Sequence, residues 1–186
     1  IKDEDLPKAE EKMAILQDTI ATLTGAGYQF IGMDHFAMPD DELAVAQREG
    51  ILHRNFQGYT DDTSDVLIGL GASSISKFPH GFAQNAPATG AYTKAIRNGT
   101  FSTVRGHAFT AEDKLRSRMI EMLMCDFRIN VDELVRNYDT TRREVIAMLN
   151  RANADFENLL VVDDAGLFVP EDARPLTRMV ARSFDA

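Results

Sequence analysis

The stretch YQFIGMDHFAMPDDELAVAQREG, residues 28–50, joins an apolar run to a polar turn and then to a helix, and its reading decides the fold. YQFIGM is aromatic and β-branched, with apolar residues on both faces, as in a strand covered on two sides. Pro39 starts a helix whose first turn holds Asp40, Asp41 and Glu42, a placement that favours the helix dipole, and Gly50 ends it. Upstream, PKAEEKMAILQDTIATLTGAG places Ala9, Met13, Leu16, Ile20 and Leu23 at helical spacing, with Pro7 suited to the first turn and Gly25 to the stop. Downstream, ILHRNFQ is the next strand candidate. Helix, strand, helix and strand in this order predict a right-handed parallel crossover, so residues 1–57 read as a slice of an α/β barrel or open sheet.

Beyond residue 57 the pattern loosens. DVLIGLG, residues 65–71, reads as a buried strand, and the Gly, Ser, Asn and Pro-rich remainder as loops. AYTKAIRNG is a short helix stopped by Gly99. From about residue 105 the character changes, which divides the chain into residues 1–104 and 105–186. Thr110 precedes the helix AEDKLRSRMIEMLMCDF, with Leu115, Met119, Met122 and Leu123 on one face and Asp113 placed as the acidic partner of a capping box. Helices near residues 131–138 and 140–157 follow. LLVVDDAGLFV reads as a hairpin turning at DDAG, and Pro175 opens a last helix. Three helices, a hairpin and a helix resemble a winged-helix module.

Composition narrows the function classes. The 186 residues carry a formal charge of -9, which disfavours a polyanion or an anionic membrane surface as partner. Residues 105–186 hold 12 Lys and Arg against 15 Asp and Glu, so the winged-helix resemblance does not make that segment a nucleic-acid module. No apolar run approaches the length of a membrane span and the N-terminus lacks the features of a signal peptide, which makes the cytoplasm the default. Cys125 is the single cysteine, excluding an internal disulfide and any metal site built from several cysteines of this chain. Ile1 in place of a methionine, opening into an acidic helix, suggests a piece of a longer protein.

Candidate site residues come from position. Asp34 and His35 follow a strand end, where parallel α/β folds place ligands, though the side chains of an extended dipeptide point to opposite sides unless the turn rotates them. GLGASSIS, residues 69–76, lacks the third glycine of a dinucleotide loop and the GK[ST] ending of a phosphate loop; Gly69 and Gly71 read instead as points of close backbone approach. His53 reads as a cap on a strand edge, His80 as a loop residue and His107 as preceding a helix, and none pairs with another His or Cys at metal-ligand spacing. Cys125, among Met122, Leu123 and Met124, reads as a packed thiol.

Taken consecutively, GYQFIGMDHFAMPDDELAVAQREG, LHRNFQGYT, GLGASSIS, FAQN and RGHAFTAEDKLRSRMIEMLMCDF resemble the signature stretches of oxygen-independent coproporphyrinogen III oxidases, a radical S-adenosylmethionine family. The resemblance is strong over about residues 28–128 and fainter to the end. It implies the C-terminal part of a partial (β/α) barrel followed by a small helical domain. It also implies an enzyme of haem synthesis that decarboxylates two propionates of coproporphyrinogen III to vinyl groups, drawing on an electron donor, S-adenosylmethionine and a 4Fe-4S cluster held by CxxxCxxC. That motif is absent here, so the resemblance puts the cluster ligands, the glycine-rich segment and the active-site tyrosine upstream of Ile1, where the catalytic residues are expected, and implies that this chain alone is inactive. Two positions carry over: Gln57 of NFQGYT and Ile75 of the serine-rich strand end, as contacts to a second S-adenosylmethionine. Asp34 and His35 fall in a family signature and become pocket or substrate candidates. Haem chaperones of the same superfamily share the resemblance in part, but GMDHFA and NFQGYT favour the oxidase. An incomplete barrel would expose strand edges through residues 1–60 and associate through them.

Overall fold

The structure is a computed structural model that describes residue 2 and residues 6–185. It divides into two compact units: residues 1–61 with 115–186, and residues 62–114. The change in sequence character near residue 105 falls inside a strand of the second unit.

In the first unit, helix α1 (Ala9–Gly25) presents a half-buried stripe of Met13, Leu16, Ile20 and Leu23, as the helical spacing predicts. Strand β1 (Gln29–Gly32) follows, buried on both faces at Phe30 and Ile31. Its partner is β2 (His35–Ala37), reached through a two-residue turn and paired antiparallel, Phe30 opposite Phe36. Helix α2 (Glu42–Glu49) begins at Asp41, whose carboxylate accepts from the Leu43 amide at 2.9 Å, and ends at Gly50 with φ 70°. Strands β3 (His53–Arg54) and β4 (Tyr59–Thr60) make a second antiparallel hairpin.

The parallel crossover expected of residues 1–57 is therefore corrected. Among the described residues β1 and β3 lie in separate two-stranded sheets, each paired with a strand of its own hairpin. Gly32, Met33 and Gly58, all at positive φ, permit these tight local reversals. Helical and strand periodicities identify elements but do not name their partners.

The rest of this unit is α4 (Ala111–Asp126) from Leu115 onward, β8 (Arg128–Asn130), α5 (Val131–Asn137), α6 (Arg142–Asp155), β9 (Val161–Asp163), β10 (Gly166–Phe168), a 3-10 helix (Glu171–Leu176) and α7 (Thr177–Arg182). The hairpin turns at Asp164–Ala165 as read, and β8 adds to make an antiparallel sheet in the order β8-β10-β9. Pro175 does not open the last helix; it sits inside the 3-10 turn, and α7 begins at Thr177. A short 3-10 turn tolerates the missing amide because its neighbours already bond at shorter range. Met119, Leu123, Ile129, Leu134, Leu149, Leu167 and Phe184 are buried in one core, and Phe30 of β1 joins it by stacking on Phe127, ring centroids 6.0 Å apart. The N-terminal hairpin and the C-terminal helices thus share a core.

The second unit is a three-stranded antiparallel sheet, β5 (Ile75–Phe78), β6 (Gly81–Asn85) and β7 (Thr103–Ala108), with α3 (Thr89–Arg97) between β6 and β7. DVLIGLG is not a buried strand: Leu67 makes an isolated bridge to Lys77, while Ile68 and Leu70 are 61% and 84% exposed. The strands lie in the segment expected to be loops, because the turn at Pro79–His80 brings Phe78 opposite Gly81 and closes a hairpin. At the start of α4 the capping box forms as expected: the Thr110 amide donates to Asp113 Oδ2 at 2.8 Å, and the Asp113 amide to Thr110 Oγ1 at 3.1 Å.

Candidate functional site

Asp34 lies in the β1–β2 turn and His35 opens β2, rather than both sitting at a strand-to-helix junction. Gly32 (φ 152°) and Met33 (φ 54°) rotate the chain, so the two side chains come together instead of pointing to opposite sides. His35 Nδ1 lies 2.8 Å from Asp34 Oδ1, but off the line that a ring N–H hydrogen bond needs, and the nitrogen is left buried without a donor–acceptor partner. Asp34 is exposed. The imidazole of His35 packs edge-on to Tyr59, centroids 5.1 Å apart.

Tyr59 organises this corner. Its hydroxyl donates to the Met124 carbonyl at 2.9 Å, one of the last carbonyls of α4, which lack partners within the helix. The Arg54 guanidinium lies 4.9 Å from the centre of its ring. Burial pushes the phenol well above its ordinary value of 10.0, against the pull of Arg54. Gly32 makes the approach possible: a Cβ there would stand 2.2 Å from the Tyr59 hydroxyl oxygen. Arg54 and Tyr59 escaped the sequence reading, yet they sit opposite each other in the hairpin register, and the glycine-closed NFQG turn is the signal that would have paired them.

Gln57 lies at the tip of that hairpin. Asn55 shapes the tip: its Oδ1 accepts from the Gln57 amide at 2.8 Å, and its own amide donates to the Gly58 carbonyl at 3.0 Å. The Gln57 side chain is exposed. At the base, His53 does more than cap a strand edge. Its Nδ1 is 3.1 Å from Glu121 Oε1 on α4, Arg118 Nη1 donates to Glu121 Oε2 at 2.7 Å, and Arg118 Nε donates to Glu133 Oε1 at 2.7 Å. Burial raises the Glu121 carboxyl, but His53 and Arg118 outweigh it and hold the group below its ordinary 4.5. Gln47 of α2 adds a further tie, donating to the Ile31 carbonyl at 2.7 Å and to the Cys125 carbonyl at 3.3 Å.

Cys125 is 1% exposed, and burial pushes its thiol up, which suits a packed side chain rather than a nucleophile. Among the described residues no three His, Cys, Asp or Glu are placed to hold a metal ion. No helix among them is long and apolar enough to cross a membrane.

Ile75 lies in the second unit, half-buried at the start of β5 and opposite Gln84. The glycine loop before it is stapled, not open. Asn85 Nδ2 donates to the carbonyls of Gly69 and Gly71, both at 3.1 Å, the Gly69 amide donates to Ser76 Oγ at 3.0 Å, and the Gly71 amide to the Tyr92 hydroxyl at 3.2 Å. A Cβ on Gly69 would stand 2.7 Å from the Ile75 carbonyl oxygen, the close backbone approach read from the sequence. The Gly69 and Gly71 amides are spent on Ser76 and on Tyr92 of α3, so GLGASSIS is a structural turn. His107 Nε2 lies 3.2 Å from Asp113 Oδ2.

Comparison with known proteins gives a consistent picture. No family model matches the chain. The oxygen-independent coproporphyrinogen III oxidase of Paracoccus denitrificans is 51% identical over 185 residues, covering 100% of this chain and 41% of that protein. Its counterpart from Escherichia coli is 43% identical over 187 residues, again covering 100% of this chain and 41% of the relative. The solved structure of coproporphyrinogen III oxidase from Escherichia coli, described as a radical SAM enzyme, matches 100% of this chain and 43% of its own with a TM-score of 0.91 at 43% identity. The chain spans about two-fifths of the relatives it matches. Along its whole length, then, this chain is a close homologue of the C-terminal part of the oxygen-independent coproporphyrinogen III oxidases.

Proposed function

We propose that this chain works as the C-terminal part of an oxygen-independent coproporphyrinogen III oxidase, a radical S-adenosylmethionine enzyme of haem synthesis in the cytoplasm. The enzyme oxidatively decarboxylates two propionates of coproporphyrinogen III to the vinyl groups of protoporphyrinogen IX, releasing two CO2, with S-adenosylmethionine as the oxidant and a donor supplying the electron that starts each cleavage. The observation that carries this reading is the match of the entire chain, at a TM-score of 0.91 and 43% identity, to a radical SAM coproporphyrinogen III oxidase. In it, residues 1–104 belong to the end of a partial (β/α) barrel and residues 105–186 form a winged-helix-like domain. The helices α4 to α6 and the β8-β10-β9 sheet support the second assignment.

The residues of this chain do not fit an iron–sulfur cluster. Cys125 is single and buried in a helix, and the described residues supply no other set of ligands. Gln57 and Ile75 are the residues proposed to contact a second S-adenosylmethionine, each considered on its own unit. The exposed amide of Gln57, on a hairpin tip fixed by Asn55, can bond adenine or ribose edges, and half-buried Ile75 can offer an apolar wall. In this chemistry S-adenosylmethionine, cleaved by one electron from the cluster of the whole enzyme, would supply hydrogen abstraction from a substrate propionate. The chain's own part is to hold Gln57 and Ile75 in place and to shape the pocket around Asp34 and His35. The ties of Tyr59, His53 and Gln47 to α4 are what keep the first unit's hairpins fixed.

The test is a chimera in which this chain replaces the matching segment of the Escherichia coli enzyme. Anaerobic incubation with coproporphyrinogen III, S-adenosylmethionine and a reductant is expected to yield protoporphyrinogen IX. A folded, cluster-loaded chimera that makes none would refute the proposal.

A further inference from the structure

The second unit carries a charge pattern opposite to that of the whole chain. Residues 66–111 contain no Asp or Glu, whereas the chain's 29 acidic residues in 186 would place about seven there on average. The same stretch holds Lys77, Lys94, Arg97 and Arg105.

Strand register sorts these cations. Ile75 stands opposite Gln84, which stands opposite Arg105; one step along, Lys77 stands opposite Phe82, which stands opposite His107. Directly opposed residues share a face, and so do residues two apart on one strand, so all six lie on one side of the sheet. The other side carries Ser76, Ala83 and Gly106, and from it Ser76 and Asn85 hold the glycine loop. On the Ile75 face Phe109 packs edge-on to Phe82, ring centroids 4.6 Å apart. Lys77, Arg105 and His107 are exposed, Phe82 and Gln84 half-buried.

Its charges are arranged for a ligand. His107 is engaged by Asp113, which also caps α4. Neither Lys77 nor Arg105 has an ion-pair partner among the described residues. They stand on the outer strands, diagonally across the sheet, two strand spacings and two residues or roughly 12 Å apart, with Phe82 on the strand between them. One amino-acid carboxylate needs only one such cation. Two separated cations around an apolar centre complement a flat apolar molecule that carries carboxylates at its rim.

We propose that this face of the β5-β6-β7 sheet seats the tetrapyrrole substrate through its propionates, Arg105 and Lys77 each taking one carboxylate while Phe82 meets the apolar ring. The assignment rests on the function proposed above and names residues for it. Arg105 is the stronger anchor because its planar fork can hold a carboxylate through two parallel hydrogen bonds.

The experiment uses the 186-residue chain with coproporphyrin III, a stable tetracarboxylate, as probe, read by fluorescence titration beside its tetramethyl ester and beside S-adenosylmethionine. Coproporphyrin III is expected to bind in preference to the ester, more weakly at high salt. Arg105→Gln and Lys77→Gln are expected to weaken it by about threefold to tenfold each, the range for charge-assisted bonds on an exposed face. Arg105→Lys should recover part of the loss, and S-adenosylmethionine binding should not change. Three results would each overturn the assignment: equal binding of acid and ester, both Gln variants within twofold of the unaltered chain, or a loss confined to S-adenosylmethionine. An active chimera with either of the first two results would leave the function standing without this site. An inactive chimera with Arg105-dependent coproporphyrin binding would leave the site standing and sink the function.

Discussion

Tyr59 and Gly32 are predicted to be coupled through one hydroxyl. Tyr59→Phe removes the bond to the Met124 carbonyl and leaves a helix-end acceptor short of its partner, a loss of about 1–2 kcal/mol. For a chain of this size that lowers Tm by roughly 2–6 °C. Gly32→Ala should be harsher. Alanine at φ 152° is strained by about 1–3 kcal/mol, and its Cβ would stand 2.2 Å from the Tyr59 oxygen, which must move and give up the same bond. In the double substitution the oxygen is already gone, and the nearest ring atom stands at 3.0 Å. The second change then adds its backbone strain but does not lose the hydrogen bond again, so the pair should cost about 1 kcal/mol less than the sum of the singles. The assay is equilibrium urea unfolding of the four proteins of the cycle, followed by far-ultraviolet circular dichroism. Additive losses, or a Tyr59→Phe variant as stable as the unaltered chain, would show that the hydroxyl does not tie the hairpin to α4.

Three further outcomes can be checked on the same protein. Because His53 and Arg118 hold Glu121 below its ordinary 4.5, its contribution is present above that value and is lost as pH falls through the lowered one; Glu121→Gln should flatten this acid limb of a Tm-against-pH curve, and an unchanged limb would count against the network. Asp126 behaves oppositely, since burial raises its carboxyl above 3.8 and the ionised form is disfavoured at the C-terminal end of α4; Asp126→Asn should therefore raise Tm at pH 7 and change it little in acid, and a lower Tm at pH 7 would refute this. Cys125 should react with a disulfide reagent such as dithionitrobenzoate only as fast as the chain opens, so rapid labelling of the native protein would mean that α4 is not packed as described.

Most local signals were read correctly, Pro175 excepted. The capping box of Thr110 and Asp113, the left-handed Gly50 and the turn at Asp164–Ala165 each depend on a few neighbouring residues, and each formed as read. The half-buried stripe on α1 needed only a 3.6-residue period. Errors gathered where the answer lay across the sheet. DVLIGLG has the composition of a buried strand, but β5 took the turn at Pro79–His80 and paired with β6, leaving Leu67 an isolated bridge and Leu70 exposed. Composition records what a segment would bury; pairing decides whether it gets the chance.

The candidate site divides along the same line. Asp34, His35, Gln57 and Ile75 were named because short motifs surround them, whereas Arg54, Tyr59 and Glu121 were missed because their partners are distant in sequence. Lys77 and Arg105 are the sharper case. They are 28 residues apart, one of them in a segment expected to be loop, and nothing in their own neighbourhoods relates them. Only the register through β6 puts both on the face of Ile75. A slip of one residue in either pairing would move one cation to the opposite side, against the packed glycine loop, and would leave the remaining one unable to recognise separated carboxylates. The specificity proposed for this face is therefore a property of the register, which the tight turn at Pro79–His80 sets between β5 and β6, and a change that lengthens that turn should abolish tetracarboxylate preference even with every charged side chain retained.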